Sequence, residues 1–235
     1  MIVVRFIHTL FLYLLALVAA VIGTLIALII ALFARNKPHV YHLAARYWSR
    51  ILVFFSGMKI EVKGRENIPP GQPLVLAVNH QSMADVPILL STVPLYFHFA
   101  IKKELFGIPF FGWYLRQAGY FPIDRELVLG GFKIVKTMNK LMEGGDSILI
   151  FPEGTRSRDG KLGTFRRGSL LAALKSGVPV LPIALSGSIN VTPRGTKLIN
   201  RAKVRLTFGR PVNFKDDDDY DKKVTEVRDF IARNV

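Results

Sequence analysis

Residues 6–34 contain no charged side chain when His8 is counted as neutral, and they are mostly Leu, Ile, Val, Ala and Phe. No other stretch constrains the fold as strongly. A helix of that length would reach about 43 Å, against a hydrocarbon core of about 30 Å, so it is long enough to cross a bilayer with tilt. The apolar core is too long for a secretory signal peptide, and no small-x-small cleavage site closes it. Gly23 permits a break, so a hairpin within one leaflet is an equal expectation. The first acid in the chain is Glu61, and Arg5, Arg35, Lys37, Arg46, Arg50 and Lys59 come before it. Lys and Arg number 32 against 17 Asp and Glu, a net charge of +15. A basic balance calls for an anionic partner, and the apolar run selects a membrane surface rather than nucleic acid. More cations lie after the run than before it, which predicts an inner membrane location with the rest of the chain on the cytoplasmic side.

Residues 38–57 read as a second helix. Tyr41, Tyr47 and Trp48 suit the headgroup level, and Arg46 and Arg50 share a face, so an interfacial helix is expected. Packing on the catalytic domain is the alternative. From Met58 the pattern changes to short apolar runs alternating with helical segments. Strands are expected over 58–62, 74–78, 96–101, 120–123, 147–151, 180–185 and 203–208. Helices are expected within 104–118, broken early by Gly and Pro, and over 128–143, 167–176 and 222–232. The run Asp216 to Asp219 reads as a solvated cluster. Such alternation predicts an α/β fold: a mostly parallel sheet flanked by helices, preceded by an N-terminal hydrophobic helical membrane anchor. The anchor and interfacial helix take residues 1–57, the catalytic domain 58–235.

The strand over 74–78 runs into Asn79-His80-Gln81-Ser82-Met83-Ala84-Asp85. Ser82 as N-cap with Asp85 three residues on is a capping-box pattern, predicting a helix from Ser82. His80 then lies in the loop at a strand's carboxyl end, where open α/β sheets bind ligands. On one helix, residues five apart sit about 140° from each other. A loop His and a first-turn Asp escape that limit, and the carboxylate can fix the imidazole tautomer and leave the other nitrogen as a base. The same string also fits an Asp85 that only caps the helix.

Competing chemistries are absent from the sequence. There is no cysteine, no Gly-x-Ser-x-Gly elbow and no His-Glu-x-x-His, and the five His show no metal spacing. The stretch Gly154 to Lys161 has five residues between its glycines where a nucleotide P-loop has four, and Leu162 where that loop has Ser or Thr. A base without a protein nucleophile points to direct attack by a substrate hydroxyl or by water. Phe151-Pro152-Glu153-Gly154-Thr155-Arg156-Ser157 comes after another apolar strand and so belongs to the same sheet edge. Gly154 allows close backbone approach, and Arg156 can bind a phosphate bidentately. Arg125 and Lys102 or Lys103, at other strand ends, could add charge.

The block Asn79 to Asp85 is similar to the Asn-His-x-Ser-x-x-Asp block of the 1-acylglycerol-3-phosphate acyltransferases and their glycerolipid relatives. Gly119 to Arg125 resembles their second block, Phe151 to Ser157 their third, and Val178 to Ala184 their fourth. The likeness covers roughly residues 58–210, and the N-terminal region resembles bacterial members only in kind. It implies His80 as general base and Asp85 as the group orienting it. It further implies Arg156 with Glu153, Gly154 and Thr155 as the glycerol phosphate site, helped by Arg125 and Lys102, with Asn79 and Ser82 also at the substrate. The implied reaction moves a fatty acyl group from acyl-CoA or acyl-carrier protein to the sn-2 hydroxyl of lysophosphatidic acid, giving phosphatidic acid without an acyl-enzyme. No metal and no cofactor beyond the acyl donor are implied. A same-family enzyme using glycerol 3-phosphate or another lysophospholipid, and a non-catalytic lipid-binding module, are the alternatives. Phe106–Leu115 is the expected acyl-chain ruler.

Overall fold

The computed structural model describes residues 2–123, 130–166, 168–193, 195–214 and 219–235. Arg125, most of the Asp216–Asp219 run and the expected helix start at Val128 lie outside the described residues.

The apolar run forms one helix, α1 (Ile2–Phe33), unbroken at Gly23. α2 (Lys37–Ser56) returns beside it. Asn36 Oδ1 caps α2 by accepting from His39 N at 3.1 Å, and Gly57, at φ +72°, ends it in the left-handed conformation. Few residues of either helix are buried: Thr9, Leu12, Ala27 and Ala31 on α1, and Tyr41, His42, Ala45, Ser49 and Ser56 on α2. Trp48 Nε1 donates to Ala16 O at 2.9 Å. The rest of α1 turns Ile, Leu, Val and Phe side chains outward.

α2 is also packed on the catalytic domain. Arg46 Nη2 donates to Val93 O at 2.9 Å and also to Leu95 O. Its neighbour His42 is fully buried and joins Tyr120 OH through Nδ1 at 3.1 Å. Arg46 can only donate, and it approaches His42 Nε2 at 3.4 Å, so Nε2 is the acceptor and the ring is neutral. Burial, with help from the charge of Arg46, pushes the His42 pKa down to about 3. Tyr47, Ile51, Phe54 and Phe55 of α2 stay on the surface.

Among the described residues, seven strands form one sheet in the order β1-β7-β6-β2-β5-β3-β4. They are β1 (Lys59–Lys63), β2 (Val75–Val78), β3 (Phe97–Lys102), β4 (Phe121–Ile123), β5 (Ser147–Ile150), β6 (Val180–Ser186) and β7 (Lys203–Phe208). All neighbouring pairs are parallel except β6 with β7. The helices of this domain are α3 (Asp85–Thr92), α4 (Phe111–Gln117), α5 (Gly130–Glu143), α6 (Leu171–Ser176) and α7 (Tyr220–Asn234). Side chains alternate across a strand, so Leu76 and Val78 of β2 join the core under α2, α3 and α4, while Val75 and Ala77 join the core under α5, α6 and α7. The central strands are apolar on both faces because both faces are covered.

α3 begins at Asp85 rather than Ser82, because residues 81 and 82 turn their amides to the Asp85 carboxylate instead of continuing a helix. Arg167, the expected start of the next helix, lies outside the described residues, and α6 begins at Leu171, after Gly168 at φ +79°. In the broken segment before β4, Phe110 has φ +59° and ψ −49°, and Phe111 N donates back to Pro109 O at 2.6 Å. This is a γ-turn of the strained hand, and it leaves Phe110 88 % exposed beside Ile108 and Phe111, which are also exposed.

Candidate active site

The parallel pairing of β2, β3, β4, β5 and β6 gives their carboxyl ends one common edge. The helix after β2 lies on one face of the sheet and the helix after its neighbour β5 on the other. A crevice opens at such a switch point, and both sequence blocks run into it: His80 comes after β2 and Phe151 after β5.

His80 Nδ1 lies 2.6 Å from Asp85 Oδ2. The same oxygen accepts from Gln81 N at 2.7 Å and Ser82 N at 2.9 Å. Asp85 thus serves the imidazole and the turn amides together, through one oxygen; Oδ1, also buried, accepts nothing among the described residues. A carboxylate already taking two amides requires a donor from the ring, so Nδ1 carries a proton. Among the described residues Nε2 has no partner, and the His80 side chain retains 13 % exposure. The Phe151 ring stacks on the imidazole, 4.0 Å between centroids and 17° from parallel. The result is a sterically held imidazole with one ring nitrogen bonded and the other open.

A second buried pair serves as an internal comparison. His98 at the start of β3 bonds Asp146 Oδ2 through Nε2 at 2.9 Å and Gly119 O through Nδ1 at 2.7 Å. Both nitrogens are occupied, so this histidine ties β3 to its neighbours and has no nitrogen left to act on a substrate.

The two loops of the site are fastened to each other. Glu153 Oε1 accepts from His80 N at 2.8 Å, and Oε2 from Gly163 N at 2.7 Å. Ser157 N donates to His80 O at 2.7 Å. Burial raises the Glu153 pKa, against the two amide bonds, which lower it. Glu153, expected at the substrate, is buried with both oxygens committed to backbone, and so braces the loops. Asn79 is likewise turned inward: its Nδ2 donates to Leu185 O at 2.8 Å and its Oδ1 accepts from Leu185 N at 2.7 Å, extending the β2–β6 pairing past the strand end. Ser82 Oγ is bonded to Thr192 Oγ1 and accepts from Ala84 N. These three hold the site's shape from beneath; none offers an exposed polar group.

Thr155 and Arg156 are exposed at the rim. Gly154, at φ +69°, is the position that lets them turn there: a Cβ on it would come 2.2 Å from Arg166 Nε. Arg166, which sequence reasoning passed over, therefore lies across the same loop. The Arg166–Arg167 doublet twelve residues past the loop's Gly was its only signal. Lys102 ends β3 on the same edge and pairs with Glu104 Oε1 at 3.1 Å. Both partners are at least half exposed, so that pair is weak and exchangeable. Lys103 continues from it into a 3-10 turn. Gln81, another residue not singled out, spans the floor by donating to Gly160 O at 2.7 Å. Among the described residues, no cluster of three or more His, Cys, Asp or Glu is arranged to hold a metal.

The acyltransferase family model matches residues 59–186, a stretch that contains β1 to β6 and both loops. The chain belongs to the acyltransferase family. Among the relatives of this acyltransferase is the chloroplastic 1-acyl-sn-glycerol-3-phosphate acyltransferase BAT2 of Brassica napus, 36% identical over 185 residues, 78% of this chain and 53% of the relative. The 1-acyl-sn-glycerol-3-phosphate acyltransferase of Bacillus subtilis is 32% identical over 177 residues, covering 75% of this chain and 84% of its own. The chain spans about half the length of the chloroplastic relatives it matches. The crystal structure of the 1-acyl-sn-glycerophosphate acyltransferase PlsC from Thermotoga maritima superposes with a TM-score of 0.85 at 27% identity, covering 98% of this chain and 94% of that one. The match in fold therefore includes α1 and α2 as well as the sheet.

Proposed function

We propose that this acyltransferase moves a fatty acyl group from the thioester of acyl-CoA or acyl-carrier protein to the sn-2 hydroxyl of 1-acylglycerol 3-phosphate, giving phosphatidic acid. The observation that carries the chemistry is the asymmetry of His80, with Nδ1 held by buried Asp85 and Nε2 open to the crevice. Nε2 takes the hydroxyl proton as the oxygen attacks the thioester carbonyl. The tetrahedral intermediate then collapses, the carbon–sulfur bond breaks, and the thiolate leaves with the proton from the imidazolium. Asp85 stabilises the imidazolium in between. No residue becomes acylated. The relatives' names supply the acceptor, and cations at the rim suit its phosphate: Arg156 first, with Thr155, Lys102 and Arg125.

The apolar outer face of α1 supports a membrane location for the enzyme, where lysolipid and product reside. α1 is bonded to the catalytic part near its start, through Tyr13 OH to Lys197 O at 2.7 Å and Ile199 N to Thr9 Oγ1 at 3.0 Å. Near its end Ala27 and Ala31 share a core with Tyr41 and Leu115. A helix held along the domain in this way favours lying within one leaflet over crossing both.

His80→Ala tests the reaction. Acyl transfer to 1-acylglycerol 3-phosphate should fall by about 10²–10⁴-fold in a protein that still folds and binds vesicles; undiminished transfer would overturn the mechanism. Preference for glycerol 3-phosphate in a panel of acceptors would overturn the substrate.

A further inference from the structure

A cleft of about 720 Å³ opens where the first turns of α1 meet the segment after β6. Val4, Arg5, His8, Ile199, Asn200 and Arg201 are among its lining residues, and among the described residues no carboxylate lines it. Arg5 Nε is sealed from solvent and finds no acceptor among the described residues. A buried donor without an acceptor is costly, by about 1–3 kcal/mol, and native structures rarely leave one so. The Arg201 stem, exposed to solvent, runs past Gly57: a Cβ there would stand 3.1 Å from its Cγ. The cleft floor is fixed, since Asn200 donates to Asn190 O through Nδ2 at 2.8 Å and to Val191 O through its backbone amide. Two arginines thus line one acid-free cleft over a bonded floor, an arrangement that suits a phosphate.

We infer that this cleft, formed by Arg5 and Arg201 at the foot of α1, binds the phosphate of an anionic phospholipid. A free phosphate would use only the guanidiniums. The cleft also has an apolar wall in Val4, Pro193 and Ile199, continuous with the exposed Val3, Ile7 and Leu10 of α1. A glycerophospholipid brings both parts, a charged head for the arginines and chains for the helix face. The inference rests on the membrane placement of α1 proposed above. It reaches the active site through one strip of chain, since Thr192, beside Pro193, is bonded to Ser82 of the His80 loop.

The test is flotation of the full chain with vesicles of phosphatidylcholine alone and with phosphatidylglycerol added. Wild-type protein should bind both and bind the anionic vesicles more tightly. Arg5→Gln with Arg201→Gln should keep binding to phosphatidylcholine and lose roughly tenfold of the anionic increment. Lys222→Gln with Arg233→Gln, which removes the same charge from α7, should keep it. Arg5→Lys with Arg201→Lys should restore only part, because lysine cannot bind bidentately. Equal losses from the α7 pair, or full recovery with lysine, would reduce the effect to general surface attraction and overturn the cleft. Thermal protection by inorganic phosphate that depends on Arg5 and Arg201, with no response to phosphatidylglycerol, would overturn the lipid. Failure to bind either vesicle would instead overturn the placement of α1.

Discussion

The backbone amide of His80 is bonded to the side chain of Glu153, 2.8 Å from Oε1. The loop that carries His80 and the loop that carries Arg156 are therefore one mechanical unit, with a buried carboxylate as the link.

Replacing that carboxylate separates bracing from binding. Glu153→Gln puts an NH2 group where an amide N–H now finds an acceptor, opposite His80 or Gly163. A loss of about 1–3 kcal/mol in unfolding free energy is expected, along with a drop in kcat. A pure rise in KM for the lysolipid, with stability intact, would return Glu153 to the substrate. The pH profile carries a second signature. Burial raises the folded pKa of Glu153, so folding favours its protonated form. Its contribution to stability is greatest below the ordinary glutamate range and declines as pH rises through the raised value. The Gln variant should lack that slope in thermal melts taken across mildly acidic pH.

Phe151→Ala removes the ring stacked on His80. Such contacts are worth about 0.5–1.5 kcal/mol, so kcat should fall by roughly 2- to 10-fold while KM for both substrates stays close to wild type. Steady-state kinetics read this directly, and a change confined to the acyl-donor KM would make Phe151 a donor contact.

Arg156→Ala should raise KM for the phosphorylated acceptor tenfold or more, roughly what losing one charged bidentate contact costs, and leave the donor KM nearly unchanged. Equal effects on both substrates would remove Arg156 from the phosphate.

His42 predicts acid sensitivity far from the crevice. Its pKa is lowered to about 3 from the ordinary 6.5, so between those values the unfolded chain binds a proton that the folded one refuses. Stability from this group is complete above pH 6.5 and is lost as pH falls toward 3, at up to about 1.4 kcal/mol per pH unit. Denaturant titrations should show that slope in the wild type and a shallower one in His42→Gln. Parallel slopes would contradict the burial of a neutral ring under α2.

Phe110 sits in a strained turn for no packing gain. Phe110→Gly should therefore raise the melting midpoint, by about 1 kcal/mol in free energy. If Phe106–Leu115 handles acyl chains, as the sequence suggests, the same change should shift donor chain-length preference. A lower midpoint would show that the ring is packed in solution.

The strands, three to seven residues long, were legible because short apolar or alternating runs bounded by Gly, Pro and charge have few other uses in a chain of this pattern. His80 and Asp85 were legible as a pair of types at a spacing, but not as a geometry. The detail missing from the string is that Asp85 Oδ2 meets the imidazole and the turn amides at once. The inward bonds of Asn79 and Glu153 were not legible for a physical reason: their partners are backbone groups at Leu185, His80 and Gly163, and an amide 106 residues away leaves no mark on the local string. The docking of α2 was hidden likewise, since Arg46 reads as a surface cation until the carbonyls of Val93 and Leu95 are brought to it.

The contacts of α1 at Thr9, Tyr13, Ala27 and Ala31 mean that the domain does not swing on a tether. If α1 lies in a leaflet, as proposed, the crevice is held at one height above the lipid, and a lysolipid substrate would arrive by sideways diffusion along the sheet of molecules it already belongs to. The effective concentration is then a mole fraction in the surface. Adding neutral lipid or detergent at constant bulk substrate should slow the enzyme as a competitor would, though the diluent never enters the site.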